Sequence, residues 1–196
     1  MKTVLRPALA LVGLFTFLLG LVLPLLFTGF AQAVLPFQAG GSLIVRDGMV
    51  VGSALVGQWS DAPRYFHPRP SATSEPDPQN EGKTRERPYN AAASGASNLG
   101  PTSATLLDAV KQRIAALPAD SPVPADAVTA SASGLDPHIS PANARQQVAR
   151  VAQARGLPQQ RVQALVEQQI EGRVLGLLGE PRVNVLRLNL ALDALR

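Results

Sequence analysis

The chain has 196 residues, 46% hydrophobic and only 16% charged, with 17 Pro, 16 Gly and no Cys. The absence of cysteine excludes a disulfide scaffold, a thiolate zinc site and a cysteine nucleophile. A balance of 18 basic against 14 acidic residues, +4 overall, is too small and too scattered for nucleic-acid binding, which needs a concentrated basic face.

Residues 1–7 form a short basic flank carrying Lys2 and Arg6, and from Ala8 to Phe30 nothing is more polar than Thr16 and Thr28. As a helix this run spans roughly 35 Å, enough to cross a hydrocarbon core of about 30 Å. Pro24 is expected to kink it or end its regular part. The next charge is Arg46, so positive-inside bias puts residues 1–7 in the cytoplasm, 8–30 in the membrane and 31–196 outside. The rival is a signal peptide cleaved at Ala31-Gln32-Ala33, although such apolar regions are usually only about 7–15 residues long. The retained anchor is favoured, and in both cases the remaining chain works outside the cytoplasm.

That remainder has the pattern of an α+β domain with short strands and about three helices. Ser42–Val45 and Met49–Val51 flank Asp47-Gly48, a hairpin signal, with Ala54-Leu55-Val56 as an extension of the same sheet. Residues 72–88 contain no large apolar side chain before Pro88 and are expected to be a solvated polar loop. A first helix is capped at Thr102 or Ser103, faces inward through Leu106, Val110, Ile114 and Leu117, and ends before Pro118. A second has Ser140 as N-cap, Pro141 at its first position and Gly156 past its end, burying Val148, Val151 and Ala152. A third starts at Pro158 and puts Val162, Leu165, Val166 and Ile170 on one face. From Val183 onward, Leu186, Leu188, Leu190 and Leu192 alternate with other residues, the period of a half-buried strand.

Catalytic signatures are sparse. His67 and His138 have no ligand-spaced partners and are expected at the surface. Gly82-Lys83-Thr84 lacks the earlier glycine and the strand of a phosphate-binding loop. Neither G-x-S-x-G nor S-x-x-K occurs, and D-K-T-G is missing, so the chain carries neither a serine-hydrolase elbow nor the means to hydrolyse ATP by itself. Arg145, Arg150 and Arg155 are spaced by five and fan around a solvated helix face. Two small-polar segments, 89–101 and 123–137, contain Ser97, Asn98, Thr129, Ser131 and Asp136. These residues serve either as turn builders bonding loop backbone or as a surface that a partner approaches closely.

Motifs in order along the chain carry a resemblance: Tyr65-Phe66-His67-Pro68-Arg69-Pro70-Ser71-Ala72, Tyr89–Leu99, Val128–Asp136, Ile139-Ser140-Pro141, Gln147–Ala152, Gly179-Glu180-Pro181 and Leu188–Asp193. Together they resemble the C subunit of the bacterial Kdp-type potassium-transporting ATPase. The resemblance implies a single-pass subunit of the bacterial inner membrane, assembled with a potassium-translocating A subunit, an ATP-hydrolysing B subunit and a small F subunit. It further implies a non-catalytic assembly factor or catalytic chaperone that raises the ATP affinity of the B subunit. It brings no firmly bound cofactor and no metal, ATP being met only through the complex. Gln147, Ser133 and Gly134 are the nucleotide-contact residues it points to, while Ser97, Asn98, Thr129, Ser131 and Asp136 are partner-contact candidates from the small-polar segments themselves. Ala96 replaces a glycine usual in the family, and the 72–88 insert is expected at the periphery. The alternative is a periplasmic binding protein or hydrolase released from a signal peptide.

Overall fold

The computed structural model describes residues 2–117 and 122–195. The chain forms two compact units, one ending at Ser53 and one beginning at Ala54.

In the first unit, α1 (Lys2–Phe17) and α2 (Leu23–Val34) are joined by a π-helical turn over Leu18–Val22. The result is a continuous apolar helix, Thr3–Val34, of membrane-crossing length. Pro24 does not end it. Proline lacks an N–H and its ring presses on the carbonyl one turn back. The widened turn immediately before it, in which the Leu23 N–H donates to the Leu18 carbonyl, relieves that clash. After α3 (Pro36–Ala39), β1 (Leu43–Arg46) pairs antiparallel with β2 (Met49–Ser53). Asp47 and Gly48 between them both have positive φ, 52° and 77°, as a two-residue hairpin turn requires. Ala54 and Leu55 form a turn and do not extend this sheet.

In the second unit the 72–88 insert is more ordered than its composition suggests. β3 (Ser74–Pro76) pairs with β4 (Thr84–Glu86). Glu75 lies opposite Arg85 and accepts from its Nε at 2.7 Å, so cross-strand ion pairing stands in for an apolar face. Asp77 ties the connecting turn by accepting from the Gln79 N–H and the Asn80 amide. Gly82-Lys83-Thr84 is simply the far side of that hairpin.

α4 (Ala104–Ala115) begins where expected, its Ser103 cap accepting from the Leu106 N–H. It buries no residue, however, and Ile114 stays 43% exposed. Pro118, expected to end it, lies outside the described residues. A single turn, α5 (Ala125–Val128), follows. β5 (His138–Ile139), β6 (Ile170–Glu171) and β7 (Arg182–Asn184) make a small antiparallel sheet in the order β5-β7-β6. Ile170 therefore belongs to a strand and not to the preceding helix. α6 (Pro141–Arg155) keeps its Ser140 cap and its left-handed Gly156, and α7 (Gln159–Gln168) starts after Pro158. These helices bury Val148, Val151, Ala152, Val162, Leu165 and Val166 against Phe66, Ile139 and Val183.

The predicted C-terminal strand stops at Asn184. Val185–Ala194 is a further helix, α8, with the Asn184 side chain accepting from the Arg187 N–H. Its fully buried leucines are Leu188 and Leu192, four apart, whereas Leu186 and Leu190 are half-buried. Leucine favours helix strongly and strand weakly, so the alternation misleads. Leu188→Ala should cost about 2–5 kcal/mol and Leu186→Ala much less, read from denaturant unfolding of the full-length chain in detergent. Equal losses would mean strand-like packing.

Candidate functional site

The polar centre of the second unit is built on α6. Asn143, Gln147 and Arg150 follow one another at helical spacing beside its buried stripe. They meet Tyr65–His67, a segment outside any strand. The Gln147 amide accepts from the His67 N–H at 2.7 Å and donates to the His67 carbonyl at 3.1 Å. From α8, the Asn189 amide does the same for Phe66, at 2.9 and 3.0 Å. Arg150 donates to the Pro63 and Tyr65 carbonyls. Arg155 donates to the Arg64 carbonyl and to Asp193, and its guanidinium stacks 4.9 Å from the centre of the Tyr65 ring. Arg145 pairs with Glu167 on α7. Arg150 and Arg155 therefore depart from a solvated fan, because they hold the 63–65 backbone, whereas Arg145, with its side chain 48% exposed, stays on the solvated face.

Gln147 is tied further back. It donates to Asn143 at 2.8 Å and accepts from Arg150 at 2.7 Å. Asn143 in turn donates to Asp126, which accepts from both the N–H and the hydroxyl of Ser140. Gln147 also lines a cleft of about 440 Å³ with Trp59, His67, Arg113 and Arg150. The neighbouring Gln146 has a buried amide nitrogen with no hydrogen-bond partner.

Ser133 and Gly134 lie among the small-residue loops. The Ser133 carbonyl accepts from the Gly95 N–H and the Ser94 hydroxyl, and the Gly134 carbonyl accepts from Ser71 at 2.8 Å. Gly134 has φ +66°, and a Cβ there would sit 2.5 Å from the Thr73 methyl and 2.7 Å from the Gly95 carbonyl. Ser133 lines a different cleft, of about 550 Å³, with Arg69, Ser131 and Asp136. The three nucleotide-contact expectations thus do not converge on one cleft: Gln147 faces one and Ser133 another.

Of the partner-contact residues, Ser97 and Asn98 are exposed, Asn98 at φ 53°. Thr129 donates to the Ala125 carbonyl, closing a turn. Ser131 is 5% exposed, and its hydroxyl has no hydrogen-bond partner. Asp136 accepts from Arg69 at 3.0 Å and from the His138 N–H at 2.9 Å. Burial pushes its carboxyl upward, but these donors outweigh burial and hold it below the ordinary range. Burial, with Asp136 adding, pushes the Tyr89 phenol well above its usual value, while its hydroxyl donates toward the Arg69 and Asp136 carbonyls. Neither histidine is a surface group. His67 is half-buried with its ring Nε2 3.1 Å from the Ala62 carbonyl, and His138 lies beside Asp136. Burial first, and Arg150 second, lower His67 below its ordinary 6.5. Among the described residues no three His, Asp or Glu side chains cluster as metal ligands. Asn189 and Asp126 escaped sequence reasoning as site residues, and Arg155 entered it only as a solvated residue, since nothing local marks a side chain that reaches across the fold.

Among the described residues, a small mixed domain follows one apolar helix of membrane-crossing length, an arrangement consistent with a membrane-anchored subunit. The profile of the KdpC family, the c chain of K+-transporting ATPases, matches residues 5–194, and the chain belongs to that family. It is 57% identical to the potassium-transporting ATPase KdpC subunit of Methylorubrum populi, over 100% of this chain and 98% of that one. Its similarity to the same subunit of Methylobacterium nodulans is 57% over 97% and 96% of the two chains. For that of Bradyrhizobium diazoefficiens it is 56% over 96% and 95%. The chain is accordingly a subunit of a potassium-transporting ATPase complex.

Gln147→Ala strands both polar groups of His67, and each unpartnered group costs about 1–3 kcal/mol. Gln147→Glu keeps the acceptor and loses the donor, so its unfolding midpoint should fall between those of Ala and the unmodified chain. Wild-type stability for Gln147→Ala would instead show the amide free for a ligand. Acid should also weaken the fold. A histidine whose folded pKa lies below 6.5 stabilises fully above that pH and progressively less below it. Asp136, held below its ordinary 3.8, removes more stability as pH falls further. In a pH series of unfolding midpoints, His67→Gln should abolish the upper limb alone.

Proposed function

We propose that the chain is a non-catalytic accessory subunit, anchored by residues 8–30 with residues 1–7 cytoplasmic and residues 31–196 extracytoplasmic. The charge asymmetry around the helix, Lys2 and Arg6 before it and no charge after it until Arg46, supports that orientation. In this reading it assembles with the potassium-translocating A subunit, the ATP-hydrolysing B subunit and the small F subunit. It helps their assembly and raises the ATP affinity of the B subunit as a catalytic chaperone.

The observation that carries the reading is the full engagement of Gln147. Its carboxamide is committed to His67, Asn143 and Arg150, which favours a structural role over direct nucleotide contact. Ser133 and Gly134 likewise spend their carbonyls on the loops they pack against. ATP is then met only through the complex, and the effect on it travels by coupling between subunits. Such coupling is reciprocal. If the subunit tightens ATP binding tenfold, ATP strengthens the subunit's own attachment by the same ~1.4 kcal/mol.

The test is purification of the tagged full-length chain from membranes, with intact mass, partner subunits and potassium-stimulated ATPase read on one sample. The expected result is an uncleaved chain recovered with the larger subunits. Omitting it should raise the ATP concentration needed for half-maximal activity. A solitary chain cleaved after Ala33 would support the released periplasmic protein instead. Equilibrium dialysis of the isolated full-length chain should find no ATP bound at millimolar concentration. Binding that Gln147→Ala abolishes without shifting the unfolding midpoint would restore direct contact.

A further inference from the structure

The connection between β6 and β7 presents an unusual surface. Val174, Leu175, Leu177 and Leu178 are 58%, 87%, 79% and 65% exposed, four large aliphatic side chains within five residues. Water opposes such a cluster, and contiguous exposed apolar patches mark interaction sites. The loop is nevertheless a built structure. Val174 and Leu178 exchange backbone hydrogen bonds at 2.9 and 3.0 Å, and Gly176 and Leu177 donate back to Arg173 and Val174. Leu175, the most exposed of the four, holds a left-handed backbone, φ 54°, followed by Gly176 at 72°. A leucine in that region is strained, and here the strain points the side chain away from any cover the domain could provide.

The charge around the tip selects its occupant. Arg173 pairs with Glu180 at 2.8 Å, and Arg182 and Arg187 pair with Glu171 at 3.1 and 3.3 Å. Within residues 171–182 the two arginines are thus balanced by two glutamates, each paired inside the domain. Loops that insert into bilayers carry unmatched Lys or Arg for anionic headgroups and Trp or Tyr for the interface, and residues 171–182 contain no aromatic residue. A neutral, aliphatic, rigid tip matches an uncharged apolar pocket on a protein surface. We propose that residues 174–178 are the plug by which this domain docks into such a pocket on another subunit of the transport complex. This rests on the reading that the chain assembles with the other ATPase subunits.

Because the chain contains no cysteine, Leu175→Cys and Leu177→Cys each introduce a single thiol at an exposed position, with little risk to folding. Glu86→Cys, on exposed β4, is the control. Each full-length chain is expressed alone and together with the remaining subunits, and labelled with a hydrophilic maleimide in permeabilised membranes. Docking predicts rapid labelling at 175 and 177 in the chain alone, slowed about tenfold or more on assembly by exclusion of water from the contact, and no change at 86. A co-purified complex in which 175 and 177 label as fast as in the chain alone overturns the plug and leaves the subunit reading intact. Protection in the chain alone also overturns it, assigning the tip to lipid or to a second copy. If the wild-type chain recovers no other subunit, the assembly reading fails and the docking falls with it. Leu177→Asp should reduce recovery of the other subunits while leaving the unfolding midpoint unchanged, and full recovery would count against the plug.

Discussion

The second unit is organised around a stretch of backbone that no strand accompanies. Phe66 must reach the centre of the core, yet its flanking peptide groups cannot be left buried without partners. Gln147 and Asn189 solve this from opposite helices. A carboxamide offers one donor and one acceptor side by side, as a peptide does, so each amide can take both polar groups of one residue. Aspartate could only accept, and serine carries its donor and acceptor on a single oxygen rather than side by side. Phe66 is thereby fully buried in the core to which α6 and α8 both contribute. The arginines at 150 and 155 complete the same task for the residues before it.

Among the described residues, many polar side chains are committed to the fold itself in the same way. The chain is poor in charge, and several carboxylates serve internal backbone or arginine: Asp126 at the start of α6, Asp136 between Arg69 and His138, Asp193 beneath Arg155. Small residues in the 89–101 and 123–137 segments let loop backbones approach until they hydrogen-bond, as the Gly95 N–H does to the Ser133 carbonyl beside Gly134, where a Cβ would meet Thr73 and Gly95. In three dimensions these segments, which have little regular structure, are held by backbone and side-chain hydrogen bonds.

Local signals carried the parts of the fold that are locally determined. The Asp47-Gly48 turn, the Ser103 and Ser140 caps, the Pro141 start and the Gly156 stop depend only on neighbouring backbone, and all appear where the residues indicate. The 72–88 hairpin was hidden because ion pairs, not apolar residues, join its strands. α8 was hidden because leucines placed two apart satisfy a strand's period while two of them, Leu188 and Leu192, satisfy a helix's. Gln147 stood out through a motif, but its role is set by His67, 80 positions away, and Asn189 by Phe66, 123 positions away. Spacing along the chain cannot report such pairings.

The span between Phe66 and Asn189 also sets an order of events during synthesis. The half of the grip that comes from α8 requires 123 further residues to be made after Phe66, roughly 6–25 s at ordinary elongation rates. Throughout that interval the growing chain carries its apolar helix and its exposed Phe66 segment but no closed domain. The helix can therefore be delivered to a membrane before the domain has its final surface. A chain stopped in between leaves the Phe66 backbone without its partner from α8.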